Sequence, residues 1–291
     1  MLGILNIDKP QGLTSHDVVN HVRRKLGTRR VGHAGTLDPL ATGALVVAVG
    51  PATRFLQYLP LEPKIYEFTV LFGIETASQD SEGEIVAEKP LPPDLETSIL
   101  EYMPRFTGEI EQVPPMFSAV KKDGRPLYHL ARQGIEVERE PRTVYLDEFS
   151  LLDVQGAVAK FRCVCSGGTY VRTLAHDLGQ IIGCGGHVRE LRRTAVGRFK
   201  VEDSIGVEEI SQDQLVPLAD ALQPMPMISL SRELTGDVWN GQRVGVRPVP
   251  EQKFVALQDP EGRVISVAEV VVGGFLQPAC VIPQEAFHAE L

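Results

Sequence analysis

Apolar residues in this chain recur with two periods, and the changes between them mark out its elements. Within residues 65–72, Tyr66, Phe68, Val70 and Phe72 alternate with more polar neighbours, which predicts a strand with one buried face. Residues 3–7, ended by Lys9-Pro10, and residues 158–165 read as two more strands. Val18, Val19, Val22 and Leu26 make the stripe of a helix that Ser15 is expected to cap and Gly27 to stop. Further helices are expected over 170–182, with Val171, Leu174, Leu178 and Ile181 inward, over 94–103, and briefly over 187–193. Asp80-Ser81-Glu82-Gly83 and Gly167-Gly168 read as turns, and 206–222 as an acidic, helix-like stretch.

Two stretches break this rhythm. Residues 113–144 are Pro-rich and mixed in charge, with Pro114-Pro115, Lys121, Lys122 and Arg125, and structureless stretches of that length are usually functional or disordered. Residues 223–228 hold two prolines and two methionines and read as a linker. Beyond it, 253–258 and 263–272 flank Asp259-Pro260-Glu261-Gly262, a hairpin signature. The expected organisation is a mixed α+β domain over 1–225, interrupted by an insertion over about 113–144, then a small β-rich domain over 226–291.

Composition narrows the class. With 43% apolar and 23% charged residues in 291, the chain is an ordinary globular protein, long enough for two domains. Its longest apolar runs, such as residues 44–49, fall far short of the ~20 residues of a membrane span. Asn6, Asp8 and Lys9 interrupt any export-signal core, so no membrane association and a cytoplasmic address are expected. The four cysteines fit no zinc-ligand spacing and read as reduced structural thiols. A net charge of −9 argues at first against a nucleic-acid partner. Its distribution softens that, since phosphate binding depends on local basic surface. Residues 21–33 carry Arg23, Arg24, Lys25, Arg29 and Arg30 with no acid, and residues 186–200 carry five bases against Glu190.

The most informative segment runs Gly32-His33-Ala34-Gly35-Thr36-Leu37-Asp38-Pro39-Leu40-Ala41-Thr42-Gly43. The proline holds Asp38 extended and suits the first position of a helical turn, and the glycines permit close backbone approach. Read from these residues alone, Asp38 is either a reactive carboxylate or the N-cap of a short turn.

That string resembles the catalytic motif of pseudouridine synthases, in which the aspartate before proline is essential. Asp8-Lys9-Pro10-Gln11-Gly12-Leu13-Thr14-Ser15-His16-Asp17 resembles the first motif of the bacterial tRNA pseudouridine synthase B family. So do Lys64-Ile65-Tyr66, Gln112-Val113-Pro114-Pro115-Met116-Phe117-Ser118-Ala119, and residues 165–193 with Gly-Thr-Tyr-Val-Arg-Thr and His-Val-Arg-Glu-Leu-Arg-Arg. The matches run in the family's order from residue 3 to about 200. One departure is visible: Gly167 stands where many relatives carry lysine.

The resemblance implies a pseudouridine synthase fold with a mainly antiparallel central sheet and a catalytic cleft. It also implies a C-terminal domain like the RNA-binding module shared with archaeosine transglycosylases. The implied reaction is isomerisation of uridine to pseudouridine in the T loop of tRNA, at position 55. The implied partner is the T arm, met by a monomer that requires no protein partner, cofactor or metal. Asp38 would add to C6 of the base or C1′ of the ribose, with Arg172 pairing it and Asp80 completing the network. Tyr66 would stack on the uracil and assist proton removal, although Phe68, Val70 and Phe72 share its face and core packing is the alternative. His33 would support the stack that a flipped base leaves, or be a loop histidine bonding a carbonyl. Tyr170 and Leu191 would line the pocket, and Lys121 and Lys122 would meet RNA from a thumb-like insertion. Two other readings stay open: a synthase steered by guide RNA and partner proteins, and a tRNA-binding, folding-assistance protein without turnover.

Overall fold

The alternating residues become the strand Lys64–Phe72, with Tyr66, Phe68, Val70 and Phe72 buried and the positions between them half-exposed. It pairs antiparallel with Val158–Cys165 on one side and Gly186–Val196 on the other. Arg142–Gln155 and then Gly108–Gln112 extend the sheet, again antiparallel. Thr42 and Gly43 pair in parallel with Arg192 and Arg193. Aromatic rings fill the buried face: Phe161 stacks on Phe68 at 5.4 Å and on Phe149 at 5.3 Å, and Phe106 meets Phe149 edge-on. Each fully buried ring contributes about 1.5–3 kcal/mol. The helix Val171–Ile182 buries Val171, Leu174, Ala175 and Leu178 and packs against Gly186–Val196 and the helix Leu95–Tyr102. Asp94 caps that second helix, accepting the Thr97 N–H at 3.0 Å.

In the computed structural model, residues 1–122 and 124–287 are described, and the chain forms two units drawn from separated stretches. The sheet above belongs to the unit built from Asp38–Gly43 and Glu62–Gly197; the other contains Met1–Leu37, Ala44–Leu61 and Arg198–Leu291. The strand Thr42–Val49 serves both, since its first two residues pair with Arg192 and Arg193 while Val46–Val49 pair with Val31–Ala34.

The terminal unit has two cores. In one, Leu5 and Ile7 of Gly3–Lys9 pack with Val18, Val19 and Val22 of the helix Ser15–Leu26 and with Leu45, Val47 and Val49. Gly3–Lys9 runs parallel to Ile205–Gly206, and Ile4 bridges to Val216. In the other, Met227–Ser229, Phe254–Gln258, Val264–Val271, Phe275–Val281 and Val244–Gly245 form a five-stranded sheet over Val238, Val255, Leu257, Ile265 and Leu276. This is the β-rich C-terminal domain, and the whole is mixed α+β. Among the described residues no helix is long and apolar enough to cross a membrane.

Four local expectations are corrected. Residues 187–193 belong to the strand Gly186–Val196; a bulge between Val188 and Glu190 turns Arg189 and Glu190 outward together, which breaks the two-residue period and mimics helical spacing. Residues 206–222 hold only a 3₁₀ turn at Gln212–Gln214 and the four-residue helix Leu218–Ala221, because Val216 is tied to Ile4 and Pro217 starts a new element. Thr14, not Ser15, caps the first helix through a reciprocal box with Asp17. Ser15 is buried instead, its hydroxyl donating to the Leu37 carbonyl at 3.0 Å and accepting the Leu37 N–H at 2.8 Å. Ile181 is exposed, because the inward stripe of its helix runs out at Leu178 before Gly183 ends it.

Gly43 makes the parallel pairing possible. Its φ is +103°, and a Cβ there would lie well inside contact distance of the Arg193 carbonyl. Gly43→Ala is therefore expected to cost at least about 1–3 kcal/mol from conformation alone. Urea unfolding reads this, and a midpoint equal to wild type would refute it.

Candidate active site

Asp38 opens a tight turn rather than a helical one: its carbonyl accepts the Ala41 N–H at 3.1 Å, with Pro39 and Leu40 at the bend. Its side chain is about one-third exposed (35%), and one oxygen receives Nε of Arg172 at 2.9 Å. Arg172 sits in the first turn of Val171–Ile182 and is almost wholly buried (3%). Its Nη1 meets Asp80 Oδ2 at 3.2 Å and donates to the Ser78 carbonyl at 2.7 Å, while Nη2 donates to the Phe117 carbonyl at 2.7 Å. A guanidinium has five donors in a fixed fork and no acceptor, so this set of oxygens fixes its plane.

Asp80 is buried in the turn between Ile74–Thr76 and Ile85–Glu88. Its carboxylate accepts from the Ser78 hydroxyl and from the Glu82 N–H at 3.1 Å. Gln79 adopts a positive φ of 63° in the same turn, and its amide accepts the Thr173 hydroxyl at 3.0 Å. The turn is thus held by the helix that carries Arg172. Tyr170, at the cap position of that helix, is gripped at its backbone by buried Gln112: Tyr170 N–H to Oε1 at 3.0 Å, and Nε2 to the Tyr170 carbonyl at 3.3 Å.

Tyr66 and Leu191 share the buried face of the sheet. Leu191 lies opposite Phe68, and Arg193 lies opposite Tyr66. Burial pushes the Tyr66 phenol above its usual range, partly countered by the Arg193 guanidinium that hydrogen-bonds it, so the hydroxyl keeps its proton at neutral pH. Lys64, two residues along, is pushed down by burial and then by Arg193. Gly167 donates its N–H to Glu62 at 2.9 Å, and a Cβ at that position would lie 2.7 Å from Glu62 Oε1 and 3.5 Å from Lys64 Nζ.

The remaining candidates are carried by other elements. His33 is half-buried on Val31–Ala34, opposite Val47, in the terminal unit. Lys121 and Lys122 are exposed on a two-residue strand paired with Arg125–Pro126, and Lys122 donates to the Glu138 carbonyl at 2.6 Å. The basic clusters are partly internal: Arg23 bonds Asn20 and the Val31 carbonyl, Lys25 pairs with Glu208 at 3.0 Å, and Arg193 is fully buried. The four cysteines are free and buried, and among the described residues no cluster of three or more His, Cys, Asp or Glu could hold a metal ion. Ser78, Gln112 and Arg193 were given no site role from sequence. Arg193 alone carried a signal, lying two residues from both Leu191 and Ala195 on the inward face of a strand that had been read as a helix.

Asp80→Ala removes one of two anions from a buried guanidinium and the acceptor of two further donors. A stability loss of about 1–3 kcal/mol is expected. Chemical denaturation measures it; no shift would mean that these bonds contribute no net stability.

Comparison with known proteins gives this geometry a lineage. Residues 23–171 match the family described as TruB family pseudouridylate synthase (N terminal domain), and residues 172–228 match the tRNA pseudouridylate synthase B C-terminal domain. The chain is 41% identical over 294 residues to tRNA pseudouridine synthase B of Stutzerimonas stutzeri, covering 97% of this chain and 96% of that one. It is 43% identical over 296 residues to the protein of the same name from Syntrophotalea carbinolica, covering 98% and 94%. Among solved structures, the crystal structure of a Cbf5-Nop10-Gar1 complex superposes with a TM-score of 0.71 at 27% identity, covering 97% of this chain and 86% of that one. The matched segments hold Asp38, Tyr66, Asp80, Arg172 and Leu191 alike, and the chain belongs to the TruB family of pseudouridylate synthases.

Proposed function

We propose that this enzyme isomerises a uridine of the tRNA T loop, at position 55, to pseudouridine, with Asp38 as the catalytic carboxylate. The observation that carries the reading is the pairing of partly exposed Asp38 with buried Arg172, itself held by Asp80 and two carbonyls. The guanidinium favours the ionised carboxylate and fixes its direction, while partial exposure leaves the group accessible to substrate. Asp38 adds to C6 of the uracil or to C1′ of the ribose, and either route uses the same ionised group. The bond from N1 to C1′ breaks, the base turns, and C5 bonds to C1′. The carboxylate then leaves, C5 loses its proton and N1 gains one. No electrons are exchanged with an acceptor and no group is carried, so the chemistry calls for neither cofactor nor metal.

Tyr66 stacks on the base and its hydroxyl takes part in moving the C5 proton; Leu191 and Tyr170 line the pocket. His33 supports the stack left by the flipped base. Lys121 and Lys122 meet the T arm, and the enzyme acts as a monomer without protein partners. The test is tritium release from tRNA labelled at uridine C5, using this chain alone with no cofactor or metal added. Wild type is expected to release tritium, while Asp38→Asn binds tRNA and releases none. A wild type that binds without release favours the binding-protein reading, and release only with a guide RNA favours the guided one.

A further inference from the structure

Arg193 is the largest fully buried side chain among the described residues. Taking a guanidinium out of water is costly unless its donors are filled, so its place on the Tyr66 face calls for a reason. Residue 193 pairs with Tyr66 on one neighbouring strand and with Gly43, at the end of the Asp38 loop, on the other. Its side chain lies on the Tyr66 face, two residues from Leu191, and hydrogen-bonds the Tyr66 phenol.

We propose that Arg193 is the positioning residue for the Tyr66 hydroxyl, fixing which way its proton points. The inference rests on the role given to Tyr66 above. Arginine can only donate, so in this bond the phenol oxygen must accept. The hydroxyl proton is thereby turned away from the guanidinium. The ring is anchored at its oxygen while its face stays available for stacking, and a fixed positive charge stands ready to balance the phenolate whenever the proton leaves. The other ionisable groups acting on the phenol are Cys163 and Cys165 on the adjacent strand, while Lys64, two residues along the same strand, interacts with Arg193 and Cys165. Neither thiol bears a fixed charge, which leaves Arg193 the permanent cation bonded to this oxygen.

A double-mutant cycle tests this under single turnover with saturating enzyme and C5-tritiated tRNA. Arg193→Met is expected to slow tritium release at least about tenfold, in the range of general acid–base effects, with tRNA affinity within about twofold of wild type. Adding Arg193→Met to Tyr66→Phe is expected to slow that variant no further. Thermal unfolding checks the fold. Should the Met variant not fold, Arg193→Lys, which keeps a buried cation and donor, enters the same cycle with the same expectation of non-additivity. An inactive wild type overturns the functional reading and this inference with it. An active wild type with multiplicative losses in the double variant, or with Arg193 variants at full rate, overturns this inference alone.

Discussion

A buried guanidinium has to be answered on every side, and Arg172 is answered by three separate pieces of chain. Asp38 comes from one loop, Asp80 and the Ser78 carbonyl from a turn, and the Phe117 carbonyl from the start of the inserted segment. The cation also sits in the first turn of its helix, where the macrodipole is unfavourable to positive charge. The two carboxylates offset that penalty and the larger one of desolvation. The arrangement therefore behaves as a unit, since removing any one acceptor leaves the others gathered around an undercompensated charge. The catalytic role proposed for Asp38 borrows its geometry from this requirement.

The second constraint is register. Because Arg193 lies between Tyr66 and Gly43, the spacing between the aromatic face and the end of the Asp38 loop is fixed by strand pairing rather than by side-chain packing. The rings of Phe68, Phe149 and Phe161 pack against one another on that same face and stiffen it. A site mounted on paired backbone holds position more closely than one mounted on loops. The sequence opposite Tyr66 has no freedom to slip by one residue, which would send Arg193 and Leu191 to the polar face.

Much of this was legible in the order of residues. The strand at 65–72 announced itself because half of it is buried and half is not, and the helices at 15–26 and 171–182 because an apolar stripe ends at glycine. Legibility failed where tertiary pairing overrode local pattern. The bulge at Val188–Glu190 hid a strand, and Val216, fastened to Ile4, undid an apparent helix. Ser15 looked like a cap because a hydroxyl before a helix usually is one, and its grip on Leu37 involves a residue too distant for local rules. At the site, the carboxylate and its arginine were visible through resemblance. Gln112 and Ser78 were not, because they act through backbone groups that no side-chain motif records.

The division of the chain also sets a timetable. Gly3–Lys9 is synthesised well before Ile205–Gly206 and Val216, which are among its partners. At about 5–20 residues per second, that strand waits on the order of ten seconds or more for them. Residues 62–197, in contrast, form a continuous run able to pair internally before the last third exists. Asp38 is synthesised early but meets Arg172 only after the helix at 171–182 has emerged. A nascent chain stalled before that helix thus carries the carboxylate without the cation that aims it.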